Sequence, residues 1–150
     1  MKISELLTPE LVKVNLSSVD KDELFEEMVQ VFVGNGLIKD RAAAVRSLQE
    51  REILLSTGVG NGIALPHGKL AEASGTMLAL GICRQGIDYD SLDGEPVHIV
   101  LTIFAQPNNP EQHLELLGEI SRLFSIPGFN DRICAAQTPQ QVLEIIKSEE

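Results

Sequence analysis

The segment "PVHIVLTIFA", residues 96–105, is an apolar run of strand length and indicates a buried β-strand. A second apolar run, "TMLALGIC" at residues 76–83, gives the same indication, and the Gly-, Asp- and Ser-rich "DYDSLDGE" joins the two. Nearer the N-terminus, the alternation in "LVKVNL", residues 11–16, predicts an edge or half-buried strand. These runs together predict a sheet.

Two helices are predicted between the first strand and the later pair. Asp20, with Glu23 three residues on, fits a helix-capping arrangement, and "GNG" at residues 34–36 ends that helix. Asp40 can cap a second helix that extends to about Glu52.

Two more helices follow the last strand. Asn109 and Pro110 start one of them, and its predicted inward face carries His113, Leu117, Ile120 and Phe124. Thr138, Pro139 and Gln141 open the other by the same logic. Because helices and strands intermix without a linker or an internal repeat, we expect a single α/β domain over residues 1–150, with helices on both sheet faces.

Composition restricts the class of partner. The formal charge is -10, which argues against nucleic acid or an anionic membrane as the main partner and favours a protein with a basic face. The N-terminus has no signal-peptide core, and no apolar run is long enough to span a membrane, so we expect a cytoplasmic protein. Cys83 and Cys134 lack CxxC spacing, and we expect two reduced thiols.

The segment "STGVGNGIALPHGK", residues 56–69, contains most of the candidate functional residues. Its glycines would let backbone N–H groups approach an anion, while the alternative is a tight connection between a helix and a strand. The spacing is not GxGxxG and the GK[ST] ending is missing, which disfavours a nucleotide site. The predicted anion-binding residues are Ser56, Thr57, Gly58, Gly60, Asn61, Gly62 and Gly68.

His67 is the predicted nucleophile of this segment. Pro66 restricts the backbone before it, and Gly68 leaves it little steric cover. An imidazole is largely unprotonated near neutral pH, so one ring nitrogen can attack while a hydrogen bond holds the other.

His113 and Arg51 are the predicted donors to a phosphoryl group on His67. His113 lies one turn inside its helix, although a histidine on an apolar face is more often a core residue. Arg51 lies five residues before Ser56, although a solvated charge at a helix end is the plainer interpretation. His98, inside an apolar strand, is interpreted as structural, and without HxxxH or CxxC spacing no metal site is expected.

The same residues resemble a known family. "STGVGNGIALPHGK", "RE" at residues 51–52 and "HLELLGEISRLF" at residues 113–124 are similar to the signature of the phosphoenolpyruvate-dependent phosphotransferase system (PTS), in its enzyme IIA domains of the fructose, mannitol and nitrogen-regulatory type. The resemblance spans essentially the whole chain. It implies a mixed β-sheet flanked by helices on both faces, and a phosphotransferase with a phosphohistidine intermediate and no cofactor.

The resemblance also implies roles for individual residues and for partners. His67 matches the histidine that is phosphorylated on Nε2, His113 matches the second active-site histidine, and Arg51 matches the active-site arginine. The implied donor is a phosphorylated HPr-like carrier protein. The implied acceptor is a IIB domain or a regulatory target protein, and the uninterrupted motif and the length favour the nitrogen-regulatory branch.

Two other functions are alternatives. One is a binding module that has lost phosphotransfer, which the presence of His67, His113 and Arg51 disfavours. The other is a sensor of nucleotides or small anions built on the glycine-rich segment.

Overall fold

A computed structural model describes residues 2–150, so Met1, the first residue of the predicted domain, lies outside the described residues. The helices are α1 (Ile3–Leu6), α2 (Lys21–Gly34), α3 (Arg41–Leu54), α4 (Pro110–Phe124), α5 (Phe129–Ala135) and α6 (Pro139–Glu149). The strands are β1 (Val12–Lys13), β2 (Gly58–Gly60), β3 (Ile63–Ala64), β4 (His67–Lys69), β5 (Met77–Ile87) and β6 (Val97–Ala105). A 3-10 turn, Pro9–Leu11, precedes β1.

The strands form one mixed sheet built around β6. β5 pairs with β6 antiparallel, and β3 and β4 both run parallel to β6 along its other edge. β1 lies at one end of the sheet, parallel to β5, and β2 lies at the other end, antiparallel to β3. The helices form two groups, α2 with α3 and α1 with α4, α5 and α6. The predicted α/β class, a mixed sheet with helices on both faces, is confirmed.

Aromatic pairs anchor the helices in the core. Phe32 of α2 packs edge-on against Phe104 of β6, with ring centroids 5.2 Å apart. Phe124 at the end of α4 packs in the same way against Phe129 of α5, at 5.0 Å. Edge-to-face pairs of this kind stabilise a core by about 0.5–1.5 kcal/mol beyond the burial of their area.

The local helix signals are confirmed. Asp20 accepts a hydrogen bond from the Glu23 amide at the start of α2, and Asp40 accepts one from the Ala43 amide at the start of α3. Thr138 caps α6 in the same way. The predicted strand at residues 11–16 is an edge strand, but only Val12 and Lys13 are paired within β1.

Two details of α4 correct the sequence interpretation. Asn109 occupies the N-cap position without a capping hydrogen bond, because its side-chain amide faces Gln112 instead. The buried face is rotated from the predicted one, and its members are Leu116, Ile120, Leu123 and Phe124. His113 and Leu117 are half-buried at the flank of that face.

Residues 56–69 form three short strands rather than one loop. β3 and β4 pair with β6 in one continuous register, Ile63 with Ile99 and His67 with Ile103. They are separate strands because Pro66, which lies between them, has no N–H to donate to the ladder. Pro66 still accepts a hydrogen bond from the Ile103 amide through its carbonyl oxygen. The nucleophile predicted at residue 67 therefore begins a strand at the edge of the core.

No helix among residues 2–150 is both long and apolar enough to cross a membrane. Cys83 is buried, Cys134 is half-buried, and both are free thiols.

Candidate functional site

A cleft of about 510 Å³ opens between the C-terminal end of α3, strand β4 and the N-terminal end of α4. It brings together three of the predicted site residues, Arg51, His67 and His113. The other residues that line it are Ser47, Glu50, Leu54, Gly68, Lys69, Ala105, Gln106, Pro107, Asn109 and Pro110.

Hydrogen bonds at both ring nitrogens determine the tautomer of His67. Its Nδ1 lies 2.8 Å from the carbonyl oxygen of Leu65, which can only accept, so Nδ1 carries the proton. Its Nε2 accepts from the Nε–H of Arg51 at 3.1 Å, and a guanidinium can only donate. His67 therefore has its lone pair on Nε2, the nitrogen that faces Arg51.

The surroundings of His67 also keep the ring neutral. Burial is the largest influence and lowers its pKa, and the positive charge of Arg51 lowers it further. The Leu65 carbonyl and the charge of Glu52 act in the opposite direction, but the pKa remains below its ordinary value. A neutral imidazole with a free Nε2 lone pair is the form of histidine that can act as a nucleophile.

His113 stands beside His67 with the ring centroids 5.3 Å apart and the ring planes inclined by 44°. Burial lowers the pKa of His113, and the neighbouring His67 and Lys69 lower it further. Its Nδ1 is buried and has no hydrogen-bond partner among the described residues. Most buried polar atoms are paired, so this ring has a hydrogen-bonding capacity that a ligand in the cleft could use.

Arg51 is held by its own helix end as well as by His67. One Nη1–H donates to the carbonyl oxygen of Leu55 at 2.9 Å, and the Nε–H is engaged by His67. A guanidinium has five N–H donors, so about three remain for an anion in the cleft. The arginine is therefore a cation held in place at the cleft, with N–H groups still free to donate to an anion.

Close packing against Ser47 requires a glycine at residue 68. A Cβ at this position would lie 2.0 Å from Ser47 Oγ and 3.1 Å from the Ser47 carbonyl carbon. The Ser47 hydroxyl itself donates to the Lys69 carbonyl at 2.9 Å. The glycine therefore lets α3 approach β4 closely, which brings Arg51 within reach of His67.

The structure does not bring the other glycines of the segment to the cleft. Gly60 and Asn61 line a second cavity beside α4, together with Leu117 and Phe124. The residues from Gly60 to Gly62 have φ values of 95°, 56° and 77°, the left-handed conformations of the tight turn between β2 and β3. This turn is a tight connection, but it joins two strands rather than the helix and strand of the alternative interpretation.

The remaining members of the predicted anion cradle already have partners within the protein. The Gly58 amide donates to Ser56 Oγ, and the Asn61 amide donates to an Asp93 carboxylate oxygen. Gly58 also lies so close to Ser91 that a Cβ would meet the Ser91 hydroxyl at 2.4 Å. Of the predicted anion-binding residues, only Gly68 lines the cleft.

A buried network behind the cleft was not predicted as part of the site. Thr57 donates to both carboxylate oxygens of Glu52, from its amide at 2.8 Å and from Oγ1 at 2.5 Å. Lys21 and Tyr89 contact the same carboxylate, at 3.2 Å and 3.1 Å. The one sequence signal for it is that Tyr89 is the only tyrosine of the chain.

Exposed apolar side chains surround the cleft. Ile53 and Leu54 at the end of α3 are 82% and 79% exposed, and Leu55 follows them at 58%. Leu114, next to His113, is 65% exposed. A run of such residues at the mouth of a polar cleft is typical of a surface that another protein covers.

His98 lies on β6 and lines no part of the cleft. Its Nδ1 is hydrogen-bonded to the Cys83 carbonyl oxygen at 3.0 Å, in agreement with the structural role expected for it.

The chain is similar to named proteins over nearly its whole length. It is 38% identical to the PTS system fructose-specific EIIABC component of Bacillus subtilis over 97% of its own residues, but it spans only 23% of that relative. It is 30% identical to the PTS system fructose-specific EIIA component of Haloferax volcanii, covering 96% of this chain and 94% of that one.

Solved structures share the fold. The crystal structure of nitrogen regulatory protein IIA-Ntr from Neisseria meningitidis superposes with a TM-score of 0.89 and 27% identity, covering 96% of this chain and 98% of that one. The enzyme IIA of mannitol from Escherichia coli, solved in complex with phosphorylated enzyme IIB, superposes with a TM-score of 0.78 at 19% identity, covering 95% and 99%.

The family model described as "Phosphoenolpyruvate-dependent sugar phosphotransferase system, EIIA 2" matches residues 5–149. The chain therefore belongs to the EIIA 2 family of the phosphoenolpyruvate-dependent phosphotransferase system and is a phosphoryl carrier of that system.

Proposed function

We propose that the phosphoryl group is carried on Nε2 of His67, as a phosphohistidine intermediate. The observation that supports this assignment is the pair of hydrogen bonds on the ring, which leaves the proton on Nδ1 and the lone pair on Nε2. His67 is also hydrogen-bonded to the guanidinium of Arg51 and has the His113 imidazole beside it.

The transfer needs no cofactor of its own. The Nε2 lone pair forms a bond to phosphorus while the bond between phosphorus and the donor's nitrogen breaks, and its electron pair returns to the donor. The Nδ1 proton stays in place throughout. Because the bond formed and the bond broken are both of the phosphohistidine type, the protein mainly has to align the groups and stabilise the phosphoryl charge.

Arg51 and His113 supply that stabilisation in different ways. Arg51 releases the Nε2 lone pair when the phosphorus approaches, and its guanidinium then donates to the phosphoryl oxygens. His113 stands beside the His67 ring, with the ring centroids 5.3 Å apart, and donates a hydrogen bond to the phosphoryl group from an imidazole N–H. Lys69 on β4 adds a further positive charge to the same cleft.

The donor in this proposal is a phosphorylated HPr-like carrier protein, and the apolar rim at residues 53–55 and 114 is the surface on which it docks. The net charge of -10 favours a carrier with a basic face, and association should weaken as salt is added. Chemical-shift mapping of the bound carrier should locate the contact at this rim and at His67. A map centred elsewhere would refute the docking surface.

The identity of the phosphoryl acceptor decides whether the protein serves sugar transport or nitrogen regulation. A structural relative forms a complex with phosphorylated enzyme IIB, so a IIB domain is the proposed acceptor for sugar transport. The nitrogen regulatory protein from Neisseria meningitidis has the same fold and supports the second candidate, in which the phosphorylated form is itself the signal. Discharge of the phosphorylated protein by an added IIB domain supports the first, and retention of the label supports the second.

The phosphoryl acceptance is tested by labelling. The protein is incubated with phosphoenolpyruvate, enzyme I and an HPr-like carrier, and the adduct is expected to be acid-labile and base-stable. His67→Ala should take up no label, and ATP in place of the full system should give none. Labelling of His67→Ala, or labelling that needs only ATP, would refute the proposal.

A further inference from the structure

We propose that Glu52 and Thr57 are positioning residues for the phosphoryl-accepting histidine, because together they hold the carbonyl group that keeps the proton on His67 Nδ1. This inference deepens the proposed function and rests on it in one respect, that His67 is the nucleophile. The two residues do not line the cleft, and their effect reaches His67 through the backbone.

Glu52 holds Thr57 at two points. The Thr57 amide donates to Oε2 at 2.8 Å and its hydroxyl donates to Oε1 at 2.5 Å, so the carboxylate binds the residue as a fork. The Glu52 side chain is 6% exposed and Thr57 is 3% exposed, which shields both bonds from water. Hydrogen bonds to an ionised carboxylate in such a setting are stronger than neutral ones.

Two further side chains hold the carboxylate in place. Lys21 Nζ lies 3.2 Å from Oε2, and the Tyr89 hydroxyl lies 3.1 Å from Oε1 and 2.7 Å from Thr57 Oγ1. Burial alone would raise the pKa of Glu52, but the hydrogen bonds from Thr57 and the contact with Lys21 more than offset it and lower the pKa. The Glu52 carboxylate that holds Thr57 is therefore ionised near neutral pH.

The fork is connected to His67 by two consecutive hydrogen bonds. The Thr57 carbonyl oxygen accepts from the Leu65 amide at 2.9 Å, which holds the Leu65 backbone against Thr57. The Leu65 carbonyl oxygen then accepts from His67 Nδ1 at 2.8 Å. A shift of Thr57 would move the Leu65 carbonyl, and the Nδ1 proton would lose its acceptor.

One turn of α3 thus controls both nitrogens of the nucleophile. Arg51 contacts Nε2 directly, and its neighbour Glu52 acts on Nδ1 through Thr57 and Leu65. The division matters during transfer, because Arg51 has to leave Nε2 when phosphorus arrives. From that moment the Leu65 carbonyl alone keeps the proton on Nδ1, and it does so because Thr57 is held.

The test reads the tautomer directly. Protonated and unprotonated imidazole nitrogens have well-separated ¹⁵N chemical shifts, so the ring spectrum of His67 reports which nitrogen carries the proton. Because Arg51 also favours the observed tautomer, the spectrum is recorded in an Arg51→Met background. We expect a single tautomer in Arg51→Met and a mixture of tautomers in Arg51→Met/Thr57→Val, where the hydroxyl is lost but the shape is kept.

The rate of phosphoryl acceptance from the carrier is measured on single variants. Thr57→Val and Glu52→Gln should be slower by about tenfold, the effect of one such hydrogen bond, and Thr57→Ser should restore the wild-type rate. Ser18→Ala is the matched control, because it removes a similar hydroxyl bond of 2.5 Å to the Glu27 carboxylate, in a cluster that lines no part of the cleft. It should keep the wild-type rate and ring spectrum.

The outcomes separate this inference from the proposed function. A single tautomer in Arg51→Met/Thr57→Val would overturn the positioning role, whatever the rates. If Thr57→Val slows transfer while the double variant keeps a single tautomer, Thr57 contributes to folding only, and the positioning role is overturned as well. If the wild-type protein accepts no phosphoryl group, the proposed function fails, while the spectra still decide the positioning role; if Glu52→Gln does not fold, Thr57→Val decides alone.

Discussion

Arg51 Nε donates to His67 Nε2 across 3.1 Å, so a permanently charged guanidinium is hydrogen-bonded to the lone pair of the proposed nucleophile. The same guanidinium is tied to the Leu55 carbonyl and keeps other donors free. The contact keeps the ring neutral and correctly protonated before the donor arrives. In the proposed transfer, Arg51 gives up this contact when phosphorus bonds to Nε2.

Arg51→Lys tests whether geometry or charge matters at this position. Lysine keeps the charge but lacks the planar fork that reaches both His67 and the phosphoryl oxygens. The loss of a charge-assisted hydrogen bond costs about 1.5–3 kcal/mol, so we expect acceptance to slow by about ten- to a hundredfold. Rapid-quench measurement of labelled protein checks this, and a wild-type rate in Arg51→Lys would show that the charge alone suffices.

His113→Ala is expected to fold normally and to transfer the phosphoryl group poorly. The ring is half-buried and its Nδ1 has no partner among the described residues, so its removal leaves no described side chain without a hydrogen bond. The lost donor should again slow transfer by about ten- to a hundredfold. A wild-type transfer rate together with a lowered melting temperature would instead identify His113 as a core residue.

Acid should affect acceptance only below the ordinary pKa of histidine. Burial lowers the pKa of both His67 and His113 from 6.5, so the neutral rings persist at lower pH than free imidazole would. Acceptance should stay constant from about pH 8 down to about pH 6.5 and fall only below it. A fall already above pH 7 that tracks protonation of His67 by NMR would contradict the lowered pKa.

The same pKa values predict the direction of a stability change. A histidine whose pKa is lower in the folded state binds its proton more readily when unfolded. Its contribution is therefore present above the unfolded pKa and is lost as the pH falls through the folded pKa. His67→Ala should lose less stability than the wild type between about pH 6.5 and pH 5 in denaturant titrations, and an equal loss would contradict the lowered pKa.

Gly68→Ala and Gly118→Ala should change stability in opposite directions. A methyl group at residue 68 would meet Ser47 at 2.0 Å, and such overpacking costs about 1–3 kcal/mol. Nothing lies within 4 Å of the Cβ position of Gly118 in α4, and alanine there should stabilise the helix by about 0.5–1 kcal/mol. Equal melting temperatures for the two variants would show that α3 does not press on β4 at Gly68.

The helices could be predicted because their signals are local. Asp20, Asp40 and Thr138 each accept a hydrogen bond from an amide three residues on, and three residues of sequence are enough to recognise that pattern. The cluster of Arg51, His67 and His113 could be predicted only as a set of residue types, since three different elements bring them together.

The strands β2, β3 and β4 could not be predicted in this way. Their two or three residues carry no period of their own, and β3 and β4 exist because β6, far along the chain, offers an edge. The glycines of residues 58–62 were interpreted as an anion cradle because several different structural needs all select glycine. A left-handed turn and a close approach to Ser91 produce the same run of glycines in the sequence as an anion-binding loop would. The role of Thr57 depends on Glu52 and Tyr89, whose convergence only the folded chain shows.

A ¹⁵N–³¹P NMR experiment on the protein phosphorylated by the carrier shows which atom holds the phosphoryl group. Coupling between phosphorus and a ring nitrogen identifies both the residue and the atom that hold the phosphoryl group. We predict coupling to Nε2 of His67, with the proton still on Nδ1. Coupling to Nδ1 of His67, or to a nitrogen of His113 or His98, would contradict it.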